Sequence, residues 1–267
     1  MMMMILFSLL NTSVALPTVA ATTIQNDIEQ FNKSAYFTIP NLTDAQIVEL
    51  QKGEVVTILD SSAGDDKPRR AMGYMLSEIP KTQLWISCQD SHAVLQSSTK
   101  ELKTKTNPDM SSDWYGFFDL PWPFSDRHWM VKSWNTQKVA DNSNNKYWEH
   151  PWELIPDGAT QIRPFIEAGK LPGVTIELID DAVYTPVSKG AWVMMDVQSD
   201  VRLVVYHATT VVGGSIPEDA VVRYTVTTLE DLMKGMEKRA VDWVPKHYVG
   251  DHDHRILGGD NQWLPTY

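Results

Sequence analysis

The chain has 267 residues, 43% apolar and 21% charged, enough to bury a large core in one domain with tails. Its formal net charge of −11 is spread without a basic run, which disfavours a nucleic-acid partner and gives no electrostatic help at an anionic membrane. Cys88 is the only cysteine, so an intramolecular disulfide, a thiolate metal site and a Cys-x-x-Cys redox motif are excluded.

At the start, the apolar run 5–10 and the small residues Thr18-Val19-Ala20-Ala21 read as a leader over 1–21, pointing to export to a periplasm or outside the cell. No Lys or Arg precedes Lys33, so a positive n-region is missing, and the run is too short to span a bilayer. Residues 22–40 read as an N-terminal extension. Asn41 or Thr43 then caps a short helix through Glu49 or Leu50, stopped at Gly53. The Val- and Ile-rich segment 54–59 and the segment 70–79 read as paired strands around a turn at 60–68. Pro80 opens a helix over 81–93 containing Leu84, Trp85 and Cys88.

Beyond it the pattern turns to strand, at 94–104, 112–120, 127–138, 146–154, 174–185, 190–198 and 201–210, with a short helix at 159–168 closed by Gly169. In the last strand Val201, Leu203 and Val205 point one way, and Arg202, Val204 and Tyr206 the other. Ser215-Ile216-Pro217-Glu218 has the form of a capping box. Val222, Val226, Leu229, Met233, Met236, Ala240 and Trp243 follow as one apolar helical stripe. The β-branched stretch at 224–228 is a candidate bend, Pro245 ends the helix, and 247–267 reads as a polar, irregular tail. A sheet of this many strands curls, and its concave face needs a cover; the striped helix is the candidate.

Two motifs in this order carry a resemblance. The first runs from Trp114-Tyr115-Gly116 through Asp119-Leu120-Pro121-Trp122-Pro123-Phe124-Ser125-Asp126-Arg127-His128-Trp129; the second runs from Val204-Val205-Tyr206-His207 to Gly213-Gly214-Ser215-Ile216-Pro217. Over residues 41–246 the chain resembles the START lipid-transfer domains of the helix-grip superfamily, with His128 where that family usually has Asp. The resemblance implies an α+β helix-grip fold: a curved antiparallel sheet wrapped on a long C-terminal helix, two shorter helices and an internal cavity. It also implies binding or transfer of a lipid- or sterol-class molecule, and some superfamily relatives are aromatase/cyclase enzymes.

Nucleophile-elbow, Walker, His-Glu-x-x-His and Rossmann signatures are absent. Asp251-His252-Asp253-His254 is the most metal-like string, but it lies in the polar tail, and neither a metal nor a cofactor is expected. Glu177, Asp196, Arg202 and His207, all in expected strands, are candidates to point into the cavity, where an acid–Arg pair would meet a ligand's polar group. Arg127 and Trp129 join them from the first motif, and Met233 and Met236 are candidate cavity wall on the closing helix. The rival reading is a cyclase-like enzyme pairing His207 or His128 with Asp196 or Glu177. A third is a structural module whose cavity has closed. The expected partner is a hydrophobic small molecule with transient membrane contact; no protein partner is inferable.

Overall fold

The computed structural model describes residues 18–60, 68–90, 99–214, 218–252 and 255–267. The chain opens with α1 (Ala21–Asn32) and α2 (Asp44–Gln51), followed by β1 (Val56–Asp60) and β2 (Arg70–Ser77). Next come α3 (Lys81–Gln89), β3 (Thr99–Thr106), β4 (Ser112–Phe118), β5 (Arg127–Ser133), α4 (Gln137–Asn142) and β6 (Tyr147–Leu154). Three short helices follow, α5 (Gly158–Gln161), α6 (Arg163–Glu167) and α7 (Ile176–Asp181). Then β7 (Val183–Tyr184), β8 (Val187–Asp196) and β9 (Arg202–Val211) lead to the long α8 (Glu218–Asp242) and the single turn α9 (Val244–His247).

The strands form one sheet in the order β1-β2-β9-β8-β6-β5-β4-β3, antiparallel throughout except for β7, which pairs parallel with β5. Register assigns its two faces. Tyr206 lies opposite Trp192 and Gly73, whereas His207 lies opposite Ala191 and Met72, so neighbours in sequence serve opposite sides. On the outer side, Met72, Tyr74, Val193, Leu203 and Val205 are buried beneath α1 and α2. Farther along the same side, Tyr115, Phe117 and Met130 are buried with residues of α6 and α7. On the inner side α3 and α8 pack over Met75, Met194 and Val204.

Local chemistry explains several boundaries. Thr43 and Gln46 form a reciprocal capping box that starts α2, and Gly53 takes the left-handed conformation (φ 83°) just past its end. Segment 174–185 is not a strand. Thr175 Oγ1 accepts from the Leu178 amide at 3.3 Å and caps α7, leaving only β7 extended. The strand expected over 127–138 stops at Ser133, and α3 ends at Gln89. The capping box at 215–217 lies outside the described residues, but Gly213 and Gly214 do form the turn before it, with φ of 67° and 69°. The backbone of α8 runs through 224–228 without interruption.

Two segments expected to be peripheral are integral. In place of an extension over 22–40 there is α1, whose Ile24, Ile28 and Phe31, spaced i, i+4, i+7, have no exposed surface. Val19 is equally buried, so a leader removed after Ala21 would take a core residue with it. The tail 247–267 is a packed strap: Tyr248, Ile256 and Leu264 are buried beside Trp85 and Trp148. Its backbone is held by the Trp85 indole, donating to the Leu257 carbonyl at 2.9 Å, and by Asn135 Nδ2, donating to the Gly258 carbonyl at 2.8 Å.

Candidate functional site

The site grows from the inner face of the sheet. Trp114, Gly116, Trp129, Trp152, Gly190, Trp192 and Tyr206 all project there, as register along β4, β5, β6, β8 and β9 requires. Two glycines let indoles lie flat on the strands. A Cβ at Gly116 would stand 2.4 Å from the Trp129 ring, and one at Gly190 would stand 2.6 Å from Trp152. The Tyr206 ring lies 5.5 Å from Trp152 at 31° and 4.6 Å from Trp192. The result is an aromatic floor spanning β5 to β9.

This floor is not filled in by protein. Cys88, His150, Tyr206 and Glu101 each retain accessible surface. Yet burial is the largest influence on each group's proton equilibrium, pushing the Cys88 thiol up to about 12 and His150 down to about 3, and raising Tyr206 and Glu101. His150 and Tyr206, half-buried on the inner face, leave part of the floor uncovered. Glu101 of β3 raises the Tyr206 phenol of β9, although four strands stand between them in the sheet, and Arg239 of α8 counteracts the desolvation of Glu101. Register places Glu101 of β3 opposite Gly116 and Lys103 opposite Trp114, on the inner side of the sheet.

Polar groups enter this space from three sides. Glu101 and Lys103 come from β3, with Lys103 Nζ 5.8 Å from the centre of the Trp114 ring. From β6, His150 donates through Nδ1–H to Asn135 Oδ1 at 2.8 Å, and Lys103 helps hold its pKa down. Arg239 comes from α8 and Cys88 from α3. The Glu101 carboxylate and the Tyr206 hydroxyl have no hydrogen-bond partner among the described residues.

The residues singled out from sequence are distributed differently. Trp129 is half-buried in the floor. Arg127 is buried and committed to the backbone: its guanidinium donates to the carbonyls of Gly213 (2.9 Å), Asp126 (3.1 Å) and Ser125. It ties the β4–β5 loop to the turn that leads into α8, which accounts for an Arg in that motif without a ligand. Asp196 and Arg202 do pair, at 3.2 Å, but at the end of the sheet with Lys81, which meets Asp196 at 2.6 Å. Arg202 spends its other donors on the Glu78 and Ser199 carbonyls, so this cluster anchors the start of α3. Met233 and Met236 have no accessible surface. Met233 presses on Gly73 of β2, making both residues the seat of α8, not an open wall.

His207 and Glu177 are on the wrong side. His207 is buried on the outer face under Phe37, its pKa lowered to about 3 by burial. Glu177 is exposed in the first turn of α7, where helical geometry replaces the expected strand. His128 also faces outward, 3.1 Å from the Tyr115 hydroxyl. None of the acid–base pairs of His207 or His128 with Asp196 or Glu177 is assembled. Among the described residues no cluster could hold a metal ion; Asp253 and His254 lie outside them, and His252 is bound to the body through Asp90 at 3.5 Å. Among the described residues, no helix is long and apolar enough to cross a membrane.

Glu101, Lys103, His150, Tyr206 and Arg239 do not stand out as a group in the sequence. The parity of Tyr206 is visible there, but singling out His207 beside it selects the opposite face. Arg239 is masked by the apolar stripe it flanks.

Among solved structures, the chain is similar to human STARD10, at 14% identity over 71% of this chain and 70% of that one, with a TM-score of 0.54. The lipid transfer and protein localization domain of human StarD13 aligns at 7% identity over 69% of this chain and 83% of that one, with a TM-score of 0.50. The aromatase/cyclase Zhui from Streptomyces aligns at 12% identity over 65% and 96%, with a TM-score of 0.40. No family model matches the sequence, and no curated protein matches it. At these identities the likeness is one of fold: the chain has the START-type helix-grip architecture, a large antiparallel sheet with a long C-terminal helix.

Proposed function

We propose that this chain is a carrier that encloses one hydrophobic small molecule between the inner face of its sheet and α8. The observation that supports this reading is the enclosed space with open aromatic surface on its floor. At about 25 cal/mol per Å2, apolar burial of a molecule of sterol size is sufficient for affinity without a catalytic group. The likeness in fold to the lipid transfer and protein localization domain of human StarD13 agrees with such a role. Exchange requires a mouth, and the β4–β5 loop beside the lead-in to α8 is its best location. There Trp122, between Pro121 and Pro123, is 92% exposed and Phe124 is 40% exposed, a pattern suited to touching a lipid surface. We also infer export, with any processing point ahead of Val19. Cell fractionation checks this: protein confined to the cytosol with its first residues intact is the contrary outcome.

The carrier reading is tested by extracting purified protein with organic solvent and identifying what co-purifies by mass spectrometry. One apolar compound at near-stoichiometric yield is the expected result. Repeated preparations without any bound compound, together with failure to take one up from vesicles, would remove the carrier reading and favour a closed structural module.

A further inference from the structure

The C-terminal strap reaches the inner face of the sheet through one side chain. Asn135 lies opposite His150 of β6, because the Trp134 and Thr136 amides bond to the Pro151 and Glu149 carbonyls at 3.1 and 3.0 Å. Asn135 Nδ2 donates to two strap carbonyls, Gly258 at 2.8 Å and Leu257 at 3.3 Å. The Trp85 indole donates to that same Leu257 carbonyl at 2.9 Å and helps fix its place. A flipped amide would set its oxygen against both carbonyls, so the strap decides which way Asn135 faces.

That orientation decides where His150 carries its proton. Asn135 Oδ1 can only accept, and it stands 2.8 Å from Nδ1, so the hydrogen is on Nδ1. Burial, with the Lys103 charge second, pushes the His150 pKa down to about 3, and the neutral ring leaves Nε2 bare. Nε2 has no hydrogen-bond partner among the described residues and is not sealed by its neighbours. Its ring lies on the inner face, opposite Trp192 and 6.0 Å from the Trp85 ring. A bare imidazole nitrogen takes a hydrogen bond and repels oxygens that only accept.

We propose that the strap positions a hydrogen-bond acceptor in the floor: by holding Asn135 it keeps His150 in the Nδ1–H form, and Nε2 is the point where a bound molecule offers an O–H or N–H donor. Use of Nε2 by a ligand rests on the carrier reading; the hold on His150 does not.

The hold is read on the full chain by NMR of isotope-labelled histidines, whose long-range proton–nitrogen correlations report each ring's tautomer. His150→Gln identifies the ring by the signals it removes. The wild type should show His150 as Nδ1–H. Two variants loosen the hold without touching the ring. Asn135→Ala removes the acceptor, and Gly259→Ala sets a methyl against the base of the Trp148 side chain and lifts the strap. Both should shift His150 toward Nε2–H, with melting temperature measured for each, and Asn135→Ala carries the test if Gly259→Ala fails to fold. A merely structural strap would lower the melting temperature and leave the tautomer alone. Nε2–H in the wild type, or an unchanged tautomer in either folded variant, overturns the hold.

The acceptor is tested with carbazole, an apolar N–H donor, and 9-methylcarbazole, which has none. Carbazole should bind about fivefold more tightly, the value of one neutral hydrogen bond, and should shift the Nε2 signal, and His150→Leu should erase the preference. Equal affinity overturns the acceptor and leaves a carrier. If neither probe nor any vesicle lipid binds while the tautomer is fixed, the carrier reading falls, and the acceptor's use with it, while the hold stands.

Discussion

Tyr206 and His207 are consecutive residues of β9, and their surroundings could hardly differ more. On the outer face His207 is sealed under Phe37, with neither ring nitrogen bonded among the described residues and no open surface. On the inner face Tyr206 is half-buried over an open floor. Helices α1 and α2 close the outer face over β2, β8 and β9, and α6 and α7 close it over β4 and β5, so the side chains buried there contribute to stability. Inside, α8 rests on β1 and β2. The same sheet thus serves as core on one side and container on the other, and substitutions on the two sides should have separable effects.

The largest loss should come from the outer face. Phe31 of α1 has no exposed surface and stands edge-on to Tyr147 at 6.5 Å. Phe31→Ala should cost about 3–5 kcal/mol in denaturant unfolding, with little change in ligand affinity per folded molecule. A loss under about 1 kcal/mol would show that α1 is an appendage and that the outer face is not a closed core.

Acid should act next, and on both faces, since burial lowers His150 of the inner face to about 3 as well. Burial lowers His207 to about 3 and His128 to about 4. Both folded values lie below the unfolded value near 6.5, so the unfolded chain binds more protons as pH falls beneath that point. Stability present above pH ~6.5 is lost as pH drops toward these folded values, at up to about 1.4 kcal/mol per unit for each histidine. His207→Phe should flatten the urea-midpoint profile between pH ~6.5 and ~4 by one histidine's share. An unchanged slope would mean that His207 is reached by solvent.

Much of this contrast is legible in the amino-acid pattern, and where the pattern misleads the reason is physical. Alternation in β9 sorts Tyr206 from His207 correctly, but alternation is symmetric: it says which residues share a face, not which face holds the space. Segment 22–40 carries the i, i+4, i+7 pattern of Ile24, Ile28 and Phe31 among polar neighbours, and its nearness to a leader hides it. The strap beyond α9 is polar by composition and is held mainly by backbone carbonyls of Leu257 and Gly258, a kind of bond that side-chain patterns do not encode. Glu101 and Lys103 lie in a strand, TKELKTKT, whose charges read as solvated surface. Only register with β4 places them on the inner side. The motif Arg127 is conspicuous for a reason other than ligand chemistry, since its bonds join two backbone segments.

Inside the container a small change should act on binding more than on folding. In Gly116→Ala the nearest atoms the new methyl meets all belong to the Trp129 indole, which is pushed off the strand into the interior. The expected cost is about 1–3 kcal/mol of stability, with ligand capacity reduced because the displaced ring occupies its place. Bound ligand per mole of folded protein is the measurement. A full complement of ligand in this variant would mean that Trp129 is not part of the floor.

The smallest effect on folding, and the sharpest functional one, belongs to a residue on neither face. Trp122 is 92% exposed in the β4–β5 loop and contributes almost no burial, so Trp122→Ser should leave stability within about 0.5 kcal/mol. The loop frame does not depend on it: Asp126 Oδ1 accepts from the Leu120 amide at 2.9 Å, and Arg127 holds the loop to Gly213. If the exposed indole touches lipid during exchange, the variant should bind vesicles more weakly and transfer its cargo between them more slowly, while binding the same cargo as tightly once loaded. An unchanged transfer rate would separate exchange from this loop and move the mouth of the cavity elsewhere along α8.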